Sequence, residues 1–468
     1  MTDEKKYSPG VMKYIEEGKK YKAWKEEHLR RMKSFKFDTI AVHGLYTVEE
    51  ALNLNQGSVI EPLYLSSAQA YRDSDELEAA LAYLIPTWCY TRFANPTTYY
   101  LEWALALLEG YKTGYDTSCV VTASGIAAIM LAVDAFLVKQ KQGQEDINFV
   151  SSIQIYGGTY QHFSVRKRQE RGIGVRWVNH PEDIEEWKAK IDENTRFLYT
   201  EAPSNPQQAF CDIKALADLA HTWEIPFIID STCATPALMR PIAYGADVVI
   251  HSLTKSMTLG GLAMGGALIS RDQIVTKIKN DNPLFKEKFA EYIKFFPFRD
   301  EGPAAAPLNA LLTLNDLRTL RTNMDLLSQN SQKVAEFLSQ HPRVYQVDYL
   351  GLPSFPLHAL AKQYMKLVDS DDGQGHELNR YGHLLCFRVE GPPDNARKVY
   401  DSLKIIIRAG DLGRVKSIAT IPAISTHLQQ GKEAREEADV PPQMIRLCVG
   451  AEDPEDIIAD LNQALRSY

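Results

Sequence analysis

The sequence predicts an α/β protein with a large, mostly parallel-sheet domain followed by a smaller α+β domain. Three observations carry this. Between about residues 60 and 300, short apolar, β-branched runs alternate with helical stretches, the spacing of parallel strands joined by crossover helices. Two of these runs lead directly into charged or hydroxyl-bearing residues, Asp230 after one and Ser252 to Lys255 after another. Beyond about residue 300 the alternation gives way to a long helical pattern and then to separate strands.

The elements follow in order. Residues up to Phe35 are dense in Lys and Glu, with a weak apolar stripe of Val11, Ile15, Tyr21, Trp24 and Met32. This segment reads either as a solvated surface helix or as an arm that packs on a partner subunit. We assign residues 1–61 to an N-terminal arm. Residues 62–302 form the large domain, with strands at Cys119–Thr122, Phe197–Thr200, Phe227–Asp230 and Val248–Ile250. Residues 303–468 form the small domain. It has a helical run from Leu308 through Leu338, strands at Leu384–Val389 and Met444–Val449, and a last helix from about Glu455 to Leu465. The polar stretch Asp369–Gly375 reads as a surface loop.

Composition narrows the function. Of the 468 residues, 45% are hydrophobic and 24% charged, as in ordinary soluble domains. A net charge of −8 argues against a nucleic-acid partner, which needs a basic face. The six cysteines are scattered, with no C-x-x-C pair and no zinc spacing, so reduced thiols and no metal are expected. No run of about 20 apolar residues suggests a membrane span. The N-terminus lacks an apolar signal core and carries Asp3, Glu4, Glu16 and Glu17, so the expected location is cytoplasmic.

The chemistry starts at Asp230 and Lys255. Each follows an apolar run and therefore sits near the carboxyl end of a strand, the edge where open α/β sheets bind ligands. About 25 residues between them suit one crossover to a nearby parallel strand. A lysine that can form a Schiff base, beside a carboxylate that can keep a pyridine nitrogen protonated, is what pyridoxal phosphate (PLP) chemistry needs. Taken alone, the pair equally fits a surface lysine and a turn aspartate. The run Ala123-Ser-Gly-Ile-Ala-Ala-Ile129 follows a strand and opens a helix, which suits either a phosphate or a simple Ser cap. Ser252 and Thr254 flank the lysine and can add hydroxyl donors. Tyr156-Gly-Gly-Thr159 places a Tyr either to stack on a flat ring or in a core beside a Gly-Gly turn.

Together these segments carry a more specific resemblance. They are Tyr90-Thr-Arg-Phe-Ala-Asn-Pro-Thr97, Leu101-Glu102, Leu107-Leu-Glu-Gly110, Ser124-Gly125, Tyr156-Gly-Gly-Thr159, Glu201-Ala-Pro-Ser-Asn-Pro206, Asp230-Ser-Thr232, Gly245-Ala-Asp247, His251-Ser-Leu-Thr-Lys255, Ser425-Thr-His427 and Ile445-Arg-Leu-Cys-Val-Gly450. In this order the chain resembles the Cys/Met-metabolism family of PLP enzymes, which includes cystathionine γ-synthase, O-acetylhomoserine sulfhydrylase, and cystathionine and methionine γ-lyases. The resemblance covers nearly all the chain after Phe35. It implies a type I PLP-dependent transferase fold with pyridoxal 5'-phosphate as cofactor.

The resemblance also implies roles. Lys255 carries the cofactor and shuttles protons, Asp230 pairs with the ring nitrogen, and Tyr156 stacks on the ring and serves at the leaving group. Gly125, the backbone of Ile126, Ser252 and Thr254 hold the phosphate, with Tyr90 and Arg92 reaching the phosphate of a neighbouring subunit. Asn205 stands near the cofactor's phenolic oxygen. Arg446 grips the substrate carboxylate, and Ser417 joins it in substrate binding. The sequence departs from the family at Lys255-Ser-Met-Thr-Leu-Gly-Gly261, where an aromatic residue and then Gly-His are usual, and at Ser231, Cys233 and Cys448. The implied activity is γ-replacement on an activated homoserine, with an amino-acid substrate and a thiol, in a homotetramer built as a dimer of dimers. The alternatives are a C–S lyase and, more remotely, an inactive PLP-binding regulatory protein.

Overall fold

Seven strands build the large sheet, and the central ones are buried on both faces, as parallel strands covered by helices are. The computed structural model describes residues 7–140 and 146–468. The strands are β1 (Thr117–Thr122), β2 (Asn148–Ser152), β3 (Gly174–Val178), β4 (Thr195–Glu201), β5 (Phe227–Asp230), β6 (Val248–His251) and β7 (Gly266–Arg271). Their order is β1-β7-β6-β5-β4-β2-β3. The pairs β3–β2, β2–β4, β4–β5 and β5–β6 are parallel, and β7 runs antiparallel to both β6 and β1. Six strands therefore end at one edge, and β7 begins there.

Successive residues face opposite layers. Leu198, Phe227 and Val249 join one core, packed with Leu105 of the helix Pro96–Glu109 and Leu216 of the helix Ile213–Thr222. Phe197, Ile228 and Val248 join the other, with Ile129 and Val133 of the helix Gly125–Asp134. Each such fully buried side chain is worth about 1.5–3 kcal/mol, so both layers hold the sheet firmly.

The Leu308–Leu338 pattern is two helices, Pro307–Leu317 and Leu320–Ser339, not one. The second packs Val334, Ala335 and Leu338 on a mostly antiparallel sheet, with Ile457 and Leu461 of the last helix, Pro454–Leu465. That sheet has the order β12-β13-β14-β11-β8, from β8 (Val344–Asp348), β11 (Leu384–Val389), β12 (Ile407–Arg408), β13 (Ile418–Thr420) and β14 (Met444–Cys448). Of the stretch 369–375, residues 372–375 form the expected exposed loop, and the residues before them are strand. Asp369 to Asp371 end β9 (Lys366–Asp371), which pairs with β10 (Glu377–Asn379). Its polarity reflects a hairpin end, and Asp369 accepts hydrogen bonds from Tyr111, Lys112 and the Phe37 amide at 2.6–3.1 Å.

The N-terminal helix, Pro9–Met32, is capped by the Ser8 hydroxyl, which accepts from the Val11 amide at 3.1 Å. It is not a purely solvated helix. Val11, Tyr14, Lys25, His28 and Met32 are buried against this same chain, with the Lys25 ammonium on the Glu50 carboxylate.

Candidate active site

Two carboxylates stand side by side at the carboxyl edge of the large sheet. Glu201 ends β4, Asp230 ends β5, and the two are register partners. Both are buried. Asp230 Oδ1 accepts from the Thr232 amide at 3.0 Å and the Thr232 hydroxyl at 2.6 Å. Glu201 accepts from the amides of Tyr156 at 2.6 Å and Asn205 at 2.9 Å. Burial raises the pKa of both carboxyls, and the Asp230 charge raises that of Glu201 further. Among the described residues, neither has a cation within ion-pair distance.

Lys255 lies just past β6, the next parallel strand, so one crossover separates it from Asp230 as expected. Its Nζ donates to Asp411 Oδ1 at 2.7 Å. Arg414 Nε holds the other Asp411 oxygen at 2.7 Å, and its Nη1 donates to the carbonyls of Thr254 and, at 3.0 Å, Thr258. The small domain thus clasps the lysine turn. Gly413 makes the close approach: its φ is +75°, and a Cβ there would lie 2.6 Å from the Ser256 amide nitrogen. The unusual Ser256–Gly261 run has a structural use. The small Ser256 side chain meets His383 of the small domain, Oγ to Nε2 at 2.6 Å, and burial pushes that imidazole down to about 4. The Val415 amide donates to the Leu259 carbonyl at 3.1 Å.

The anion cradle starts at Ser124, whose hydroxyl accepts from the Ala127 amide at 3.3 Å and caps the helix Gly125–Asp134. The first amides, of Gly125 and Ile126, have no intrahelical acceptor and carry the positive end of the helix dipole. A Cβ on Gly125 would lie 2.8 Å from Ser252 Cβ, so this helix start abuts Ser252 directly. The Ser252 amide donates to Thr232 Oγ1 at 2.8 Å, which links the cradle to the Asp230 turn. Thr254 Oγ1 lies 3.2 Å from both the amide nitrogen and the carbonyl oxygen of Gly265.

Tyr156 precedes the short helix Gly157–Gln161 and is 42% exposed, with its amide on Glu201. Tyr90 and Arg92 are exposed, the guanidinium 5.4 Å from the Tyr90 ring centroid and donating to the Arg299 carbonyl. Among the described residues, no hydrogen bond, ion pair or ring contact brings them to Ser252 or Gly125.

Arg446 lies on β14, opposite Cys386 of β11 and Thr420 of β13. It is 1% exposed, and burial disfavours its charge. One terminal nitrogen donates to Asn205 Oδ1 at 2.9 Å and the other to the Asp411 carbonyl at 2.7 Å. Among the described residues its Nε has no partner and no carboxylate lies within ion-pair distance. Cys448, two residues on, accepts from the Gly413 amide at 3.0 Å and so helps place the Asp411 loop. Ser417 is fully buried, its hydroxyl engaged by Glu452 at 3.0 Å and the Gly450 amide at 2.9 Å. Asp411 and Arg414, which sequence reading missed, stand beside the lysine. The turn signal Ala409-Gly-Asp-Leu-Gly413 marks their loop, but nothing local ties it to Lys255, 156 positions away.

What the site lacks defines its class. A buried carboxylate without a cation and a buried guanidinium without an anion are costly unless a ligand completes them. A protonated pyridine nitrogen would suit Asp230, a phosphate the Gly125 helix start and an amino-acid carboxylate Arg446, with Lys255 joined to the Arg446 side through Asp411. The fold and site are therefore those of a PLP-dependent enzyme, and the residues present fit the cofactor.

The chain belongs to the Cys/Met metabolism PLP-dependent enzyme family, whose model matches residues 38–466. It is 34% identical to the O-acetyl-L-homoserine sulfhydrylase of Leptospira meyeri, over 93% of this chain and 98% of the relative. It is 32% identical to an L-methionine γ-lyase of Treponema denticola, over 87% and 92% of the two chains. Among solved structures, a Campylobacter jejuni protein assigned as an O-acetylhomoserine (thiol)-lyase superposes with a TM-score of 0.79 at 31% identity. That match covers 92% of this chain and all of the other, which carries N'-pyridoxyl-lysine-5'-monophosphate.

Proposed function

We propose that this enzyme performs γ-replacement on an activated homoserine, exchanging the γ-substituent for a thiol or sulfide. The observation that carries the reading is the unpaired guanidinium of Arg446 beside Lys255–Asp411, a receptor for an α-amino acid, in a chain most of whose length matches a homoserine-ester sulfhydrylase. Bound cofactor supplies an electron sink for the carbon next to the amino group. Lys255 takes the α-proton and returns it further along the substrate. Asp230 holds the proton on the ring nitrogen. Gly125, Ile126, Ser252 and Thr254 bind the phosphate, Tyr156 serves at the leaving group, and Arg446 with Asn205 orients the substrate carboxylate.

A C–S lyase is the second reading, favoured by the methionine γ-lyase relative; water then replaces the thiol. The experiment offers O-acetylhomoserine, O-succinylhomoserine, cystathionine and methionine, each with and without a thiol, and identifies products. Thiol-dependent formation of a new thioether or homocysteine from an ester supports replacement. Thiol-independent release of a keto acid and ammonia from cystathionine or methionine overturns it in favour of the lyase.

The assembly reading is a homotetramer of two dimers in the cytoplasm, with Tyr90 and Arg92 completing a neighbour's phosphate site. Their exposure and distance from contact with their own cradle support it, and six free thiols suit a reducing compartment. Mixing inactive Lys255→Ala and Arg92→Ala proteins under subunit exchange then restores part of the activity. Exchange without recovery shows that each subunit builds its site alone.

A further inference from the structure

The mechanism above leaves one charged group unused. Asp411 is half-buried, and burial, which raises its pKa, is outweighed by Lys255, the Leu412 amide and Arg414, so the carboxyl lies below its ordinary value. It stays an anion at neutral pH. Its side chain and its main chain serve different partners. Oδ1 accepts from Lys255 Nζ at 2.7 Å, while the carbonyl oxygen accepts from Arg446 at 2.7 Å. One residue therefore spans the lysine nitrogen and the unpaired guanidinium. The Arg414 Nε bond and the Gly413 turn against Ser256 fix its direction.

We propose that Asp411 is the subsite for the substrate's α-ammonium group, so that Asp411 and Arg446 together recognise the zwitterion of an α-amino acid. The inference rests on the amino-acid reading of the site and adds a residue to it. An α-amino acid carries its two charges on neighbouring atoms of one carbon, and here a carboxylate and a guanidinium are joined through one residue's backbone. The incoming nitrogen must also come to where the lysine nitrogen stands, because it replaces that nitrogen on the cofactor. Asp411 already holds an ammonium there. It exchanges the lysine nitrogen for the substrate nitrogen when Lys255 is engaged by the cofactor, and takes Lys255 back when the amine is freed. A charge-assisted hydrogen bond at this position selects amino acids over simple carboxylic acids.

The test compares two ligands that lack a γ leaving group, L-norleucine and its desamino counterpart hexanoate. Calorimetry on the holoenzyme gives their dissociation constants. For Asp411→Asn, norleucine binding weakens at least tenfold while hexanoate, held by Arg446, changes less than twofold. Hexanoate also reports whether the variant is folded. The same pair is measured on Lys255→Ala, where Asp411 has no lysine to serve. A preference for norleucine that vanishes when Asp411→Asn is added supports ammonium recognition independently of any effect on Lys255. If Asp411→Asn weakens both ligands equally, or neither, the inference is overturned while the Arg446 site stands. If wild-type protein binds neither ligand, the amino-acid reading falls with it.

Discussion

The two halves of the active site are built in opposite ways. The cofactor half comes from strand ends and the turns that follow them: Glu201, Asp230, Ser252 to Lys255, and Ser124 to Ile126. Some of its contacts are local, such as Asp230 with Thr232, two residues on, and others join neighbouring strand ends, such as the Glu201 carboxylate with the Tyr156 amide. The substrate half is assembled across the chain. Arg446 meets Asn205 from 241 positions away, and Asp411 meets Lys255 from 156. The first half stands on the large sheet, with its lysine turn clasped from the small domain. The second depends on the small domain standing against the large one, which the Gly413 and Ser256 contacts enforce. On the proposed function, chemistry common to PLP enzymes belongs to the sheet-borne half and choice of substrate to the half that docks.

This contrast predicts separable defects. Asp230→Ala removes the buried counter-charge of the ring nitrogen, a loss of about 3–5 kcal/mol. Turnover falls roughly 10²- to 10⁴-fold, measured as kcat alongside cofactor content. Arg446→Lys keeps a charge but loses the fork that reaches Asn205 and Asp411 together. At about 1.5–3 kcal/mol for a charge-assisted bond, KM for the amino acid rises roughly 10- to 100-fold with cofactor content unchanged. If Arg446→Lys instead empties the cofactor, the two halves are not separable.

A smaller effect probes the docking itself. His383, under Ser256, and His427, beside Thr426, are buried, and burial pushes each down to about 4 from 6.5. Folding excludes their protons. Their contribution is complete above about pH 6.5 and is lost as pH falls toward 4, at about 2 kcal/mol each by pH 5. Urea midpoints at pH 7 and pH 5 should show this loss, and His383→Gln should flatten it. An unchanged slope in that variant removes His383 from the account.

The same contrast explains what the sequence disclosed. Strands β4, β5 and β6 were legible because burial on both faces leaves unbroken apolar runs. Asp230 and Lys255 were legible because each sits just beyond such a run. Asp411 and Arg414 were not, since a polar loop gives no periodic signal and its partners are fixed only by docking. The partner of the Ser417 hydroxyl was hidden for the related reason that Glu452 lies 35 positions away. The loop at 372–375 was legible from its polarity while the strand end at 369–371 was not, and the division of 308–338 into two helices follows a break at Arg318–Thr319 that no Gly or Pro announces.

The account rests on one covalent assignment, that Lys255 holds the cofactor facing Asp230. Borohydride reduction of the holoenzyme followed by peptide mapping tests it most directly. The reduced pyridoxyl group is predicted on Lys255, in the peptide that also contains Ser252 and Thr254. Recovery of that group on any other lysine would contradict the site as described.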